Sequence, residues 1–164
     1  RSLDFVGAGD ARAPLPLAEL APDLIVICPS NPYLSIDPIL AIADWRQWLQ
    51  QRRCAVVAVS PIVAGDAIKG CAAKMIREFG LACEPATVAR HYGALIDGFV
   101  IDNQDATQRG AIEALGLRCA VTQTIMRNDG DRDALATAVL EFGGGLGHRG
   151  EVGHAAATAP PQLV

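Results

Sequence analysis

The sequence lacks any apolar run long enough to span a membrane, for which about 18 consecutive apolar residues are needed. It also lacks the basic segment, apolar segment and cleavage site that a secretory signal would show at the N-terminus. These absences predict a cytoplasmic protein with no membrane partner. The first residue is Arg1 and not methionine, so we expect residues upstream of it to be missing.

An excess of positive charge is absent as well. The chain has 14 Lys and Arg against 18 Asp and Glu, which gives a formal net charge of -4. A protein that binds duplex nucleic acid neutralises many phosphates with basic side chains, so this composition argues against a nucleic-acid partner. Binding of a small anionic ligand is still possible, because a local cluster of donors can oppose the net charge.

The five cysteines form no C-x-x-C motif, and no two of them have the spacing of paired zinc ligands. An odd number of cysteines in or beside apolar runs is typical of reduced, buried thiols. His148 and His154 lie in a segment without helical periodicity, and we do not expect them to bind a metal ion. The sequence therefore predicts no metal site within this chain. The cysteines are Cys28, Cys54, Cys71, Cys83 and Cys119.

What is present is a regular alternation of strand and helix patterns. The 164 residues are 51% hydrophobic and 20% charged, which fits one domain with an ordinary core. Short runs rich in Val and Ile recur at 24–28, 55–59, 98–101 and 118–121, and segments of helical period separate them. This order predicts an α/β fold, Rossmann-like, with a mostly parallel sheet and helices on both faces.

The helical segments have recognisable starts and ends. Asp44 is placed to cap a helix that carries Trp45 and Trp48, whose spacing indicates core packing before a stacking platform. A second helix stops at Gly80, and Pro85 suits the first turn of a third. Further helices are predicted to end at residue 116 and to run from 131 to 143. Residues 143–164 are rich in Gly, Ala and Pro, so we predict a mobile tail after a domain of residues 1–142.

The stretch "CPSNPYLSIDP" at 28–38 follows the first apolar run directly. In a parallel sheet, ligands bind beyond the carboxyl ends of the strands, where loops lead into helix starts. Ser30 and Asn31 leave the strand, Pro32 fixes the loop, and Ser35 is placed to cap a short helix. These groups favour an anion site, but an Asx-type turn followed by a plain helix cap explains them equally well.

The stretch "VAVSPIVAGDAIKGCAAKM" at 57–75 places Lys69 and Gly70 at the mouth of a helix after the second strand. A lysine there adds a point charge to the amides of the helix start, a combination suited to phosphate. Lys74 follows one turn later and could reach the same side. We favour a ligand contact for Lys69, whereas Lys74 fits better on a solvated helix face.

The stretch "FVIDNQDA" at 99–106 ends the third strand with Asp102, Asn103 and Asp105. Carboxylates this close could bind a metal ion or a ribose hydroxyl. A strand stop with a helix cap at Asp105 is the favoured alternative. His91 lies in the middle of a predicted helix beside Tyr92, and we expect it to be packed or exposed. The sequence shows no recognisable Ser-His-Asp or Cys-His nucleophile set, so we assign no catalytic residue.

Three strings together resemble the 2-phospho-L-lactate transferase family of coenzyme F420 biosynthesis: "DLIVICPSNPYLSIDPIL", "VVAVSPIVAGDAIKGCAAKM" and "FVIDNQD". The resemblance runs over roughly residues 15–142 and has one departure, Cys71, where the family usually has proline. It implies transfer of a 2-phospholactate or phosphoenolpyruvate unit from a GDP-activated donor to the deazaflavin Fo. GMP leaves, and the product is F420-0 or its dehydro form.

The resemblance also implies which residues bind the substrates. Ser30, Asn31, Pro32 and Ser35 would face Fo or the transferred phosphate. The residues that would shape the same cleft are Ser60, Pro61, Lys69, Gly70 and Lys74. This interpretation of the two loops as one phosphate site therefore requires Asn31 and Lys69 to share one cleft.

Members of the family are much longer than this chain, and their first half holds a glycine-rich nucleotide loop and the aspartates that bind Mg²⁺. The resemblance thus implies that this chain is the C-terminal part of such a fold or a truncated relative, with Mg²⁺ ligands outside it. Phosphoryl transfer depends on charge neutralisation, so we expect the chain alone to be weak or inactive. Pairing of the chain with itself stays open.

Two alternatives from other classes are retained. The first is a non-enzymatic, nucleotide-sugar-binding regulatory module of the gluconeogenesis-factor type, which shows a G-P-G-S-type loop where this chain has Pro29-Ser30-Asn31-Pro32. The second is a generic dinucleotide-binding domain, which is disfavoured because no G-x-G-x-x-G follows any predicted strand.

Overall fold

The computed structural model describes residues 3–13 and 19–147. Helices separate the strands that begin at residues 24, 55, 98 and 118, as the spacing of the Val and Ile runs predicts. In chain order they are β1 (Leu24–Ile27), a π-helical segment (Pro32–Ile36), α1 (Asp37–Leu40), α2 (Ala43–Gln51), β2 (Ala55–Val59), β3 (Ile62–Val63), β4 (Asp66–Ala67), α3 (Ala72–Glu78), α4 (Pro85–Tyr92), a 3₁₀ turn (Gly93–Leu95), β5 (Gly98–Asp102), a second 3₁₀ segment (Asn103–Gln108), α5 (Arg109–Glu113), β6 (Arg118–Thr122) and α6 (Asp129–Gly144).

Four of the strands form one parallel sheet in the order β1-β2-β5-β6. The register aligns Leu24 with Ala55, and Gly98 with both Val57 and Arg118. Every residue of β2 and β5 is buried, which fits central strands of continuous apolar sequence. The remaining strands, β3 and β4, form a short antiparallel hairpin that the sequence patterns did not predict. The predicted parallel α/β fold is confirmed.

Helices cover both faces of the sheet. Val56 and Ala58 of β2 point into the larger core, which α1 to α5 close from one side. Val57 and Val59 alternate to the other face, where they pack with residues of α6. The two cores differ in size because, among the described elements, five helices lie on the first face and α6 alone lies on the second.

The C-terminal end of α6 packs closely on the sheet through glycine. A Cβ atom added to Gly143 would lie 2.5 Å from the Leu24 side chain, and one added to Gly98 would lie 2.7 Å from the Phe142 ring. Only glycine permits this approach, since real Cβ atoms do not come so near other carbons. Helix α6 also extends to residue 144, so the first residues of the predicted tail are helical. Residues from 148 onward, including His148 and His154, lie outside the described residues.

Two helices begin before the residue that the sequence predicts. Helix α2 begins at residue 43, and the Asp44 carboxylate accepts a 3.2 Å hydrogen bond from the Ala13 N–H instead of capping the helix. At α6 the cap is Asn128, whose side chain accepts from the Asp131 N–H at 2.9 Å. Pro85 does occupy the first turn of α4, as predicted. Asn and Asp both cap helices well, so the neighbouring candidates Asn128 and Asp131 at α6 are hard to separate from sequence.

All five cysteines are unpaired thiols, but they are not all buried. Cys54 and Cys119 are buried, and burial raises the pKa of Cys119 to about 11. Cys28 and Cys71 are exposed, so the prediction of buried thiols is wrong for these two. Within residues 3–13 and 19–147, no helix combines the length and apolarity that crossing a membrane would require.

Candidate functional site

A cavity of about 160 Å³ lies at the carboxyl ends of the parallel strands. Its wall is built from the segments that follow β1, β2 and β6 and from the end of the β3–β4 hairpin, which is where parallel sheets bind ligands. The lining residues are Pro29, Ser30, Asn31, Ser60, Pro61, Val63, Ile68, Lys69, Thr124, Ile125 and Met126.

The structure brings five of the nine predicted site residues together in this cavity. Asn31 and Lys69 both line it, so the shared cleft that the reading requires is present. The three other predicted residues in its wall are Ser30, Ser60 and Pro61. The predicted residues that do not line it are Pro32, Ser35, Gly70 and Lys74.

Asn31 orients the loop after β1. Its side-chain oxygen accepts hydrogen bonds from the N–H groups of Tyr33 at 3.0 Å and Leu34 at 3.2 Å, which makes it the cap of the π-helical segment. Its amide nitrogen lies 3.4 Å from the Met75 sulfur and 3.6 Å from the Cys71 sulfur. Sulfur is a weak acceptor, so the Asn31 NH₂ group keeps most of its capacity to donate to a ligand.

The cap at Asn31 corrects the prediction for Ser35. Ser35 is an exposed residue inside the π-helical segment, where its N–H donates to the Asn31 carbonyl at 3.0 Å. Helix α1 then begins at Asp37 without a side-chain cap. Pro32 is buried at the first position of the same segment, so it shapes the loop from beneath.

A cluster of aromatic rings and one carboxylate anchors this loop to the helices behind it. The ring of buried Tyr33 lies 4.7 Å from the His91 ring and 5.0 Å from the Phe79 ring. His91 Nε2 lies 2.9 Å from the carboxylate of Asp37, the first residue of α1. Burial and the nearby Asp37 carboxylate raise the pKa of Tyr33. His91 is therefore packed, as expected, but its link to the loop had no signal in the sequence.

Ser60 is used by the fold. Its hydroxyl donates to the Ile62 carbonyl at 2.9 Å and accepts from the Ile62 N–H at 3.1 Å. Its own N–H donates to the Val100 carbonyl at 2.9 Å. The side chain is buried and closes the turn from β2 into β3, so it positions the hairpin and has little capacity left for a ligand.

The β3–β4 hairpin that leads to Lys69 is held by a buried carboxylate. Ala64 has a φ of 50°, a left-handed conformation that a residue with a Cβ rarely adopts. Its N–H donates to both Asp105 carboxylate oxygens, at 3.0 and 3.2 Å. On the outer side, the Arg77 guanidinium donates to the Gly65 carbonyl at 2.7 Å. Burial raises the pKa of Asp105, the Ala64 N–H opposes the rise, and the charge of Asp102 adds to it.

Lys69 is the cation of the cavity. It follows the hairpin, and within the described part of the chain it forms no ion pair. Gly70 has a φ of 78° and turns the chain into α3, so it acts through the backbone. Lys74 lies one turn into α3, with its side chain 75% exposed and its amine 3.8 Å from the Glu78 carboxylate. This is the solvated helix face that the sequence favoured for Lys74.

Asp102 is buried, ends strand β5 and caps the 3₁₀ segment that follows it. Its carboxylate accepts from the Thr124 N–H at 2.8 Å, the Thr124 hydroxyl at 3.1 Å and the Gln104 N–H at 3.0 Å. Burial acts to raise its pKa, but these hydrogen bonds hold the pKa of Asp102 below its ordinary value. The cap of the following segment is thus Asp102, and the predicted cap at Asp105 is wrong.

Both carboxylates accept hydrogen bonds within the fold, Asp105 from Ala64 and Asp102 from Thr124 and Gln104. Across the described ranges, no three His, Cys, Asp or Glu side chains cluster so that they could hold a metal ion. Sequence reasoning missed the segment 124–126, which completes the cavity wall. The rule that located the other loops could have found it, since this segment follows the carboxyl end of β6.

Comparisons with known proteins agree with the strings that carry the resemblance. The family model for 2-phospho-L-lactate transferase CofD matches residues 16–133. A phosphoenolpyruvate transferase of Streptomyces griseus is 38% identical over 140 residues, which cover 84% of this chain and 44% of that protein. A 2-phospho-L-lactate transferase of Methanosarcina acetivorans is 35% identical over 118 residues, which cover 72% of this chain and 38% of that protein.

The chain spans less than half the length of both relatives. The matched part contains β1, β2, β5 and β6, and with them every residue that lines the cavity. With its family model matched over most of its length and its site inside the match, the chain belongs to the 2-phospho-L-lactate transferase CofD family.

Proposed function

We propose that this chain forms the phosphate-binding part of a transferase of coenzyme F420 biosynthesis. In the proposed reaction a 2-phospholactate or phosphoenolpyruvate unit passes from a GDP-activated donor to the hydroxyl terminus of Fo. Relatives that carry the names phosphoenolpyruvate transferase and 2-phospho-L-lactate transferase support this proposal. The single observation that carries it is the shared cavity of Asn31 and Lys69 at the ends of β1 and β2.

The proposed chemistry forms one phosphorus–oxygen bond and breaks another. The Fo hydroxyl oxygen attacks the phosphorus of the three-carbon unit, the bond to GMP breaks, and the hydroxyl proton is released. Negative charge spreads over the phosphoryl oxygens during this step, so preorganised donors lower the barrier. In this cavity the Lys69 ammonium supplies charge, and the Asn31 NH₂ group supplies a donor of fixed direction.

Mg²⁺ is expected from the family, but the described residues do not fit it. The buried carboxylates nearest the site, Asp102 and Asp105, already accept hydrogen bonds from Thr124, Gln104 and Ala64. We therefore assign the metal ligands to residues outside this chain. It follows that the chain alone should be weak or inactive.

Turnover by the isolated chain tests this assignment. The chain is incubated with Fo, the GDP-activated donor and Mg²⁺, and F420-0 or its dehydro form is quantified. We expect little or no product. Robust product formation would show that the metal site lies within these residues after all.

Equilibrium titration separates the transferase from the regulatory module. Calorimetric titrations of the chain with Fo and with a UDP-sugar measure the two affinities under the same conditions. Saturable binding of Fo supports the transferase. Binding of the UDP-sugar without affinity for Fo would contradict it and favour a nucleotide-sugar-binding module.

A further inference from the structure

The tip of the β3–β4 hairpin has a backbone conformation that its sequence does not favour. The two residues that join the strands, Ala64 and Gly65, have positive φ values of 50° and 78°. Two-residue loops of this kind are typically Asn-Gly, Asp-Gly or Gly-Gly, because these residues adopt positive φ most readily. Ala64 is exposed and has no side-chain donor or acceptor that could stabilise the turn. Its conformation therefore depends on a contact from outside the hairpin.

Asp105 supplies that contact from the segment after β5. It is 7% exposed, and its carboxylate oxygens accept the Ala64 N–H at 3.0 and 3.2 Å. At the base of the hairpin, the Ser60 N–H donates to the Val100 carbonyl of β5 at 2.9 Å. Strand β5 and the segment that follows it thus hold the hairpin at both its base and its tip.

Helix α3 holds the same tip from the outer side. The Arg77 guanidinium donates to the Gly65 carbonyl at 2.7 Å and lies 3.7 Å from the Asp66 carboxylate. Residues 68–71 join the hairpin to α3, and they include Lys69, the cation of the cavity. Because the hairpin is held by Asp105 and α3 is tied to the hairpin by Arg77, both ends of this short connection are fixed.

The turn determines which residues reach the cavity. Val63, Ile68 and Lys69 all line it, and Val63 pairs with Asp66 directly across the turn. If Ala64 relaxed to a negative φ, this pairing would break and the connection that carries Lys69 would move.

We infer that Asp105 is a positioning residue for Lys69: it holds the turn that places Lys69 beside Asn31 in the cavity. Asp105 does not line the cavity itself, so it acts on a bound phosphoryl group only through the hairpin. Strained backbone that the surrounding structure holds in place is typical of functional sites, and here the strained residue lies five positions before the cation.

Calorimetric titration with pyrophosphate tests this role. Asp105→Ala should lower the affinity about fivefold, less than removal of the Lys69 charge, because the ammonium group stays in the chain but is no longer held in place. Adding Ala64→Asn should restore the affinity to within about twofold of the unmodified chain, since asparagine adopts positive φ readily and Asn-Gly is a favoured two-residue turn.

A double-mutant cycle separates placement of Lys69 from a general loss of stability. If Asp105 acts through Lys69, adding Asp105→Ala to Lys69→Ala should change the affinity less than about twofold, whereas independent effects multiply. Arg77→Ala should also lower the affinity, and it carries the test if circular dichroism shows that Asp105→Ala unfolds the chain. Arg109→Ala is its matched control: the two arginine side chains are 55% and 57% exposed, and Arg109 pairs with Glu113 on α5. It should leave the affinity unchanged.

The role of Asp105 in binding rests on the proposed function, so a second readout uses no ligand. ¹⁵N relaxation of the unliganded chain should show residues 64–69 more mobile with Asp105→Ala and ordered again when Ala64→Asn is added. Unchanged mobility, unchanged pyrophosphate affinity, or effects that multiply in the cycle would each overturn the inference. If the unmodified chain binds no pyrophosphate but the mobility changes as expected, the result contradicts the proposed phosphate site and supports the placement of Lys69 by Asp105.

Discussion

The polar residues around the cavity divide into those that the fold already uses and those with capacity to spare. The Ser60 hydroxyl donates a hydrogen bond to the Ile62 carbonyl, and the Thr124 hydroxyl donates one to the Asp102 carboxylate. Asn31 donates only to sulfur atoms, and Lys69 forms no ion pair with a described residue. A bound phosphoryl group would therefore meet its donors at the Asn31 NH₂ group and the Lys69 ammonium, the donors that the fold engages least.

Lys69→Ala should weaken the binding of pyrophosphate, used as a mimic of the activated donor, by about tenfold, because it removes the one charge in the cavity wall that favours an anion. Calorimetry measures the affinity, and thermal unfolding should show an unchanged midpoint. Lys74→Ala is the control, since Lys74 lies outside the cavity beside Glu78. Equal affinities for Lys69→Ala and the unmodified chain would contradict this assignment.

Asp102→Asn should lower the free energy of unfolding by about 2 kcal/mol at neutral pH, because the new NH₂ group would face donors where the carboxylate accepted hydrogen bonds. The pKa of Asp102 is lower in the folded chain, so its stabilising contribution is present above the ordinary Asp pKa of about 3.9 and is lost as pH falls through the folded value. Urea unfolding between neutral and acidic pH should show a shallower loss of stability in the variant.

Asp105→Asn should have the opposite pH dependence. The pKa of Asp105 is raised by burial, so its contribution favours the folded state below the unfolded pKa and is lost as pH rises through the folded value. The same urea series should show that this variant loses less stability than the unmodified chain as pH rises from acidic to neutral. An identical pH profile for the Asp102 and Asp105 variants would refute the assigned directions.

At the scale of elements, the strands of the main sheet were predictable because each is a continuous Val- and Ile-rich run between helical segments. The β3–β4 hairpin was not, since each strand has two residues and its turn depends on Asp105, far along the chain. The loop cap was misplaced because Ser35 and Asn31 are both good caps and local chemistry does not separate them. Tertiary contacts therefore determine where this hairpin forms and which residue caps the loop.

Asn31→Ala should cost about 1 kcal/mol of unfolding free energy, as expected for loss of a side-chain cap. Ser35→Ala is the matched control and should change stability by less than about 0.5 kcal/mol, the usual range for an exposed position. Chemical denaturation of both variants measures the difference. If Ser35→Ala lowers the free energy of unfolding more than Asn31→Ala does, the capping residue is Ser35 and not Asn31.

At the scale of the whole molecule, the sequence predicted the parallel α/β class, and it pointed to the end of the sheet at which the cavity of Asn31 and Lys69 lies. It did not predict that β1 lies at an edge, because an apolar run looks the same whether it is paired on one side or on two. The chain spans 44% of the length of its Streptomyces griseus relative, and among the described residues β1 pairs with β2 alone.

The central claim is that the ends of β1 and β2 present Asn31 and Lys69 jointly to one phosphoryl group. Its most direct test is a pyrophosphate titration followed by ¹H–¹⁵N NMR of the chain. The Asn31 side-chain amide and the Lys69 backbone amide should shift together and saturate at the same ligand concentration, while the amide of Glu113 in α5 stays in place. Saturation at Arg53, near the opposite end of the sheet, with Asn31 and Lys69 unmoved, would contradict the account.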